Sequence, residues 1–297
     1  MTADLRKAWI LMGVAVFFWG INWPIMKLGM DHIGPLWFAA YRVLLGGAAL
    51  FAILALQGRL SFPTRSELPV LLSVGLVQIG GCIALLHSSL LFVDPGRAAV
   101  LAYTTPIWAA PLAALFLAEV LTWRKILGVG LGMAGIALLF NPLTFPWGWN
   151  GDTLGNGMLL VSALLWAGVI VHIRSHGWKR PHLSLLPWQL LIGGVFLAGI
   201  SFVGEGAPVL PLDGSLPWIL LYNGLIATAL CFWCYIGAAR VLPATITAIA
   251  SQGIPVVGLS SSAWVLGEGI TVILVGGLVL IVAGITVSST HPRQTKV

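Results

Sequence analysis

Ten apolar stretches of bilayer-crossing length, or close to it, follow one another along the 297 residues, and the pattern starts again after the fifth. They fall at 8–30, 35–57, 68–91, 97–118, 126–139, 153–173, 183–202, 216–239, 243–266 and 271–288. About 20 residues of α-helix are needed to cross roughly 30 Å of hydrocarbon, and most of these stretches reach that length. The fifth is shorter and rich in glycine. An odd-membered repeat is a strong constraint: the second set of five must enter the bilayer from the opposite face, so the two halves run inverted. Composition leaves no soluble alternative. With 59% hydrophobic residues, 8% charged residues and a mean hydropathy of +0.99, the chain cannot cover a globule with polar surface. The fold expected is an all-α integral membrane protein of ten transmembrane helices. Two inverted five-helix repeats, residues 1–145 and 146–297, surround a central cavity.

The repeat can be followed residue by residue. Trp19-Gly20 matches Trp166-Ala167 at an offset of 147, and Arg42 with Gly46-Gly47 matches Gln189 with Gly193-Gly194 at the same offset. Pro106 with Glu119 matches Pro255 with Glu268 at 149, as do Gly128 and Gly135 with Gly277 and Gly284. Inverted repeats with a site near the bilayer midplane belong to secondary transporters. The small-residue faces of spans 5 and 10 suit close helix crossing, either within one chain or in a homo-oligomer.

Charge orients the bundle. Twelve of the 15 Lys and Arg fall on one face, in the tails and in loops 2–3, 4–5, 6–7 and 8–9. Asp31, Asp94, Asp152, Glu205, Asp213 and Glu268 fall on the other. By the positive-inside rule both termini are cytoplasmic. The net charge of +6 then reports topology and anionic-lipid contact, not nucleic-acid binding. Arg6 and Lys7 precede an apolar run that lacks a small-residue cleavage site, so the run is read as the first span, retained. Cys82, Cys231 and Cys234 lie within spans and are read as packing residues despite the C-x-x-C spacing of the last two. No H-E-x-x-H, no G-x-S-x-G and no intramembrane acidic pair is present, so neither an enzyme nor a metal or cofactor site is expected.

Ordered motifs carry a resemblance over nearly the whole chain. Phe17–Gly20 reads F-x-W-G, Tyr41-Arg42 follows Pro35, and Thr104–Ile107 reads T-T-P-I. Leu117–Glu119 (L-A-E) precedes the glycine-rich fifth span, and Leu165–Ala167 and Leu266–Glu268 repeat the scheme. The chain resembles ten-span drug/metabolite transporters of the EamA type and, more loosely, bacterial exporters of aromatic and other neutral amino acids. Those exporters favour aromatic and acidic residues where this chain has Thr105 and Gln78. The resemblance implies a bacterial-type cytoplasmic (inner) membrane location. It also implies a cavity enclosed by spans 1, 3, 4, 6, 8 and 9, with an amino acid or similar metabolite as substrate.

Depth agrees with that cavity. Trp19, Asn22, Gln78, Tyr103, Thr105, Trp166, Ser251 and Gln252 lie mid-span and are the candidate substrate-binding residues. Most tryptophans, Trp37 among them, sit at span ends and suit the interfacial belt, but Trp19 and Trp166 do not. Neutral amides and hydroxyls can both donate and accept, which suits a zwitterion; the same groups could join helices. Pro106 and Pro255, at equivalent depths, are read as paired hinges. Arg42 is the one charge well inside a span. Its neutral counterpart Gln189 favours a structural clamp on neighbouring carbonyls, with substrate-carboxylate binding as the other reading. No Asp or Glu lies near a midplane, so transport is expected to be uncoupled. Proton-coupled drug or metabolite efflux is the alternative, with His87 as the titrating group.

Overall fold

The computed structural model describes residues 3–140, 148, 150–176, 184–208, 214–242 and 244–289, and every regular element among them is helical. In chain order these are α1 (Ala3–Met30), α2 (Pro35–Leu56), α3 (Arg65–Ser89), α4 (Pro95–Leu117) and α5 (Trp123–Phe140). There follow α6 (Gly151–Ser175), α7 (Leu186–Glu205), α8 (Leu216–Ala239), α9 (Ala244–Ser251 continued by Gly253–Leu266) and α10 (Val272–Ser289). Eight are long and apolar enough to cross a membrane: α1 to α4, α6 to α8, and the Ile249–Leu266 stretch of α9. Helix α10 is a shorter apolar helix, and α5, whose first turn is Trp123-Arg124-Lys125, is not among the eight.

Hydrocarbon cannot satisfy backbone polar groups, so the chain satisfies them within helices. Proline opens α2, α4, α7 and α8, where its missing N–H is not needed. Asn150 caps α6 by accepting the Thr153 N–H at 2.9 Å. The outward faces carry Leu56, Leu115, Phe116, Val203 and Val272, a surface suited to lipid.

Two helix pairs are stitched by symmetric contacts. Gly128 of α5 lies against the Gly284 carbonyl of α10, and Gly135 lies against the Gly277 carbonyl. Each member of the sequence-equivalent pairs thus faces the other pair's partner, and these small faces are used inside one chain. Helices α2 and α7 run antiparallel. Trp37 Nε1 near the start of α2 donates to the Gly206 carbonyl beyond the end of α7, at 3.1 Å. Trp188 Nε1 near the start of α7 donates to the Ser61 carbonyl beyond the end of α2, at 3.0 Å. Trp37 therefore does more than sit in the interfacial belt. Glu205 adds a second tie, accepting the Leu36 and Trp37 N–H groups at 2.8 and 3.0 Å.

Three irregularities recur in both halves at an offset of 149. Helix α3 is a π-helix over Ser73–Cys82, and α8 is one over Tyr222–Leu230. Gly193 of α7 packs on Ile79 and the Gly75 carbonyl of the first π segment. Gly46 of α2 packs on Thr228 and the Gly224 carbonyl of the second. Helix α4 is interrupted at Tyr103-Thr104 and α9 at Gln252. Both breaks stand just before the expected hinge prolines: the Pro106 ring would clash with the Ala102 carbonyl four residues back. That carbonyl instead accepts the Thr105 hydroxyl at 3.2 Å. Finally, α4 and α9 both end on a left-handed residue, Ala118 at φ 52° and Gly267 at φ 69°. The L-A-E and L-G-E motifs are thus helix terminators. A non-glycine residue in this region costs about 1 kcal/mol, so Ala118→Gly should raise the unfolding temperature in detergent.

Candidate functional site

The breaks divide α4 into unlike halves. In Pro95–Ala102 six of eight residues are buried; in the 13 residues Thr105–Leu117 only Ile107 and Ala113 are. The buried half is sealed against α1 and α9. A side chain added at Gly258 would meet Ala99 Cβ at 2.9 Å and Trp23 at 3.0 Å, and one at Gly96 would meet Leu259 at 3.1 Å. This end is latched by Glu268, whose Oε2 accepts the Gly96 N–H at 3.0 Å across α9 and α4. The repeat-equivalent Glu119 has different partners. It pairs with Lys125 at 3.0 Å and with Arg174, tying the end of α4 to α5 and α6 rather than to α9. One end of the α4–α9 pair is therefore closed, and the glutamate at the other end is engaged elsewhere.

The two carboxyls respond oppositely to acid. Partial burial alone would raise Glu119, but Lys125 and Arg174 outweigh it and hold the group below the usual 4.5. Its contribution to stability is present above that value and is lost as the pH falls through the lower folded value. Glu268 is raised above 4.5 by burial, with Asp94 adding to the effect and the Gly96 N–H offsetting part of it. Its contribution is complete below 4.5 and fades as the pH rises through the raised value. Acid should therefore weaken the Glu119 cluster while leaving the Glu268 latch intact. Thermal unfolding between pH 7 and pH 4 should show a smaller acid loss for Glu119→Gln than for the parent. An equal loss would remove Glu119 as the cause.

The central residues fall into two groups. Trp19 lies edge-on to Phe232 at 5.3 Å and tilted against Tyr235 at 5.4 Å between ring centroids. Its indole N–H donates to the Ala227 carbonyl at 2.7 Å. The acceptor is a backbone group of the second π segment, a winding that is frequent at functional sites. Tyr103 lies within electrostatic range of Tyr235, Cys231 and Arg42. Asn22, three residues beyond Trp19, is 3% exposed, and its Oδ1 accepts no hydrogen bond among the described residues. Trp19, Asn22 and Tyr103 thus belong to one neighbourhood of α1, α4 and α8.

Others stand apart. Gln78 is half-buried in the first π segment, and Trp166 packs in the apolar cluster that holds Val77 and Phe232. Thr105 is spent on Ala102, and Thr104 accepts the Trp108 indole N–H at 3.3 Å. Ser251 and Gln252 mark the break in α9. Two open apolar grooves, about 340 and 360 Å³, contain none of the candidates. One lies between Val77, Leu112, Leu164 and His172; the other lies between Leu76, Leu191 and Phe196.

Arg42 meets side chains, and no carbonyl among the described residues. Its Nη1 meets Met26 Sδ at 3.0 Å and His87 Nε2 at 3.4 Å, and its Nη2 meets the Thr228 hydroxyl at 3.4 Å. His87 is 1% exposed, its Nδ1–H donates to the Ile83 carbonyl at 2.8 Å, and its Nε2 faces the guanidinium. Both ring nitrogens are thereby occupied. Sequence reasoning missed Tyr222 and Tyr235. The available signal was scarcity, because the chain has four tyrosines and three of them gather here.

The comparisons agree with the bundle. The model of the EamA-like transporter family matches residues 6–141 and again 153–290. The uncharacterized transporter YoaV of Bacillus subtilis is 28% identical over 97% of this chain and 99% of its own. A probable amino-acid metabolite efflux pump of Salmonella typhimurium is 30% identical over 95% of both chains. A protein of the same description from Escherichia coli is 27% identical over 95% of both. A solved crystal structure superposes with a TM-score of 0.67 at 18% identity, covering 95% of each chain, a likeness of fold.

Proposed function

The chain belongs to the EamA-like transporter family, and on that premise we propose that it exports small neutral metabolites, amino acids including aromatic ones foremost, by alternating access. It is a multi-pass membrane transporter, not an enzyme. In this reading α1 to α10 all span a bacterial-type inner membrane, with both termini cytoplasmic, as two inverted repeats. The reciprocal Trp37 and Trp188 bonds, the crossed glycine contacts of α5 and α10, and the paired π segments support the inversion. The efflux-pump relatives support the direction and the substrate class.

One observation carries the mechanism: equivalent glutamates have unequal partners. Glu268 latches α9 to α4 at one end, while Glu119 is held by Lys125 and Arg174 at the other. In an inverted repeat the two arrangements are mirror states of one cycle. In the alternate state Glu119 closes its own end onto the start of α9, and Glu268 releases Gly96. The hinges are the breaks before Pro106 and Pro255. Trp19, Asn22, Gln78, Tyr103, Thr105, Trp166, Ser251 and Gln252 border the path, and Ala substitutions at Trp19, Gln78, Tyr103 and Trp166 should lower flux without lowering folded yield. A homo-oligomer through α5 and α10 would use their outward faces, because the facing glycines are already filled.

Coupling is absent in this reading. Among the described residues no carboxylate stands at the site, and both nitrogens of His87 are occupied. The test is flux of labelled neutral amino acids in proteoliposomes, with and without an imposed pH gradient or valinomycin-set potential. Downhill exchange that ignores both gradients is expected. Uphill accumulation driven by protons would favour the proton-coupled pump instead.

A further inference from the structure

Arg42 is 8% exposed, and among the described residues no carboxylate pairs with it. Its Nε is buried without an acceptor. Its other contacts are a thioether, a neutral ring nitrogen and a hydroxyl, two of them at 3.4 Å. A buried cation with so little compensation costs several kcal/mol (roughly) unless an anion arrives. The bundle itself does not call for a charge at this position, since the equivalent place in the second half is taken by the neutral Gln189.

A second unsatisfied group lies about one helical turn from a residue that touches Arg42. Met26, whose sulfur touches the guanidinium, is four residues beyond Asn22 on α1, so the two share one helix face one turn apart. Asn22 Oδ1 is a buried acceptor lacking a donor. Four residues of helix advance about 6 Å along the axis, so Asn22 and the Met26 that touches Arg42 are near enough for one α-amino acid to place its carboxylate on the guanidinium and its ammonium on Asn22. From Arg42 the neighbourhood runs through Tyr103 to Tyr235 and Trp19, an aromatic wall for the substrate's side chain.

We propose that Arg42 and Asn22 form the recognition pair for a zwitterionic α-amino acid, the guanidinium taking the carboxylate and Asn22 Oδ1 the ammonium. This rests on the amino-acid reading above and gives it an atomic address. Arg42 is then a substrate-binding residue rather than a structural charge. The guanidinium fork offers the carboxylate two parallel hydrogen bonds, a geometry lysine cannot reproduce.

The test is ligand-induced thermal stabilisation of the purified full chain in detergent. The probes are phenylalanine, phenylalanine amide (no carboxylate) and 3-phenylpropionate (no ammonium). The parent should favour phenylalanine over either analogue by at least tenfold in apparent affinity. Arg42→Gln, which installs the residue of the other half, should lose the preference over the amide. Asn22→Ala should lose the preference over phenylpropionate. Arg42→Lys should recover only part, and it replaces Arg42→Gln if that variant fails to fold. Equal binding of phenylalanine and its amide by the parent overturns the Arg42 assignment while leaving the amino-acid reading standing. Arg42-dependent binding of phenylpropionate with no response to any amino acid overturns the zwitterion and the amino-acid reading together.

Discussion

Oxidising a cysteine pair placed at Ala99 and Gly258 should abolish transport by more than tenfold, and a reductant should restore it. The two positions face each other across the sealed end of α4 and α9, with a Cβ at Gly258 lying 2.9 Å from Ala99 Cβ. A disulfide needs Cβ atoms about 3.5–4.5 Å apart, so the helices need give only a fraction of an ångström to about 1.5 Å. The bond would then hold shut the end that must open in the alternate state. Cys82, Cys231 and Cys234 are buried and unbonded, and would be replaced beforehand to leave one pair. The readout is amino-acid efflux from proteoliposomes before and after dithiothreitol. Unchanged efflux by fully cross-linked protein would show that this end never parts, and alternating access between α4 and α9 would fall.

Gly284→Leu should remove most folded protein. A side chain at Gly284 would run into the Gly128 carbonyl and approach the Gly132 nitrogen at 2.8 Å. These are backbone atoms of the facing helix and cannot swing aside, so the cost is about 3 kcal/mol or more. Gly130→Leu is the matched control, since nothing lies within 4 Å of its added Cβ. It should stay within about 0.5 kcal/mol of the parent. Monodisperse yield by size-exclusion chromatography separates the two outcomes, and equal yields would mean that α5 and α10 do not depend on their glycine seam.

The all-helical character, the proline breaks and the glycine seams could be read in the sequence because each follows from local chemistry. A helix interrupted before Pro106 is dictated by a missing N–H, and a glycine repeat signals close approach whatever the partner. What could not be read depends on which helix face meets which. The bond from Trp19 to the Ala227 carbonyl needs a π segment that no residue type announces. Gln78 and Trp166 share with Trp19 their depth, and Trp166 shares the cluster of Phe232, but depth alone does not say which of these residues meet one another. Arg42 was recognised as unusual, yet its partners span α1, α3 and α8, and no spacing in the chain brings those together. That no carboxylate among the described residues pairs with it is a three-dimensional fact.

In the seams between α2 and α7 and between α5 and α10, contacts and their repeat-equivalents are present together. Under the exchange of halves proposed here, such a seam maps onto itself. The contacts of α4 with α9 map onto a different place. Substitutions therefore sort by address. A lesion in a self-matched seam burdens both conformations equally, so it lowers the amount of protein while leaving turnover per molecule intact. A lesion at Gly96, Glu119 or Glu268 burdens one conformation alone, so it changes turnover while abundance holds. Variants of this transporter should thus divide into those that are scarce but brisk and those that are plentiful but slow, and the helix pair that a mutation touches decides which.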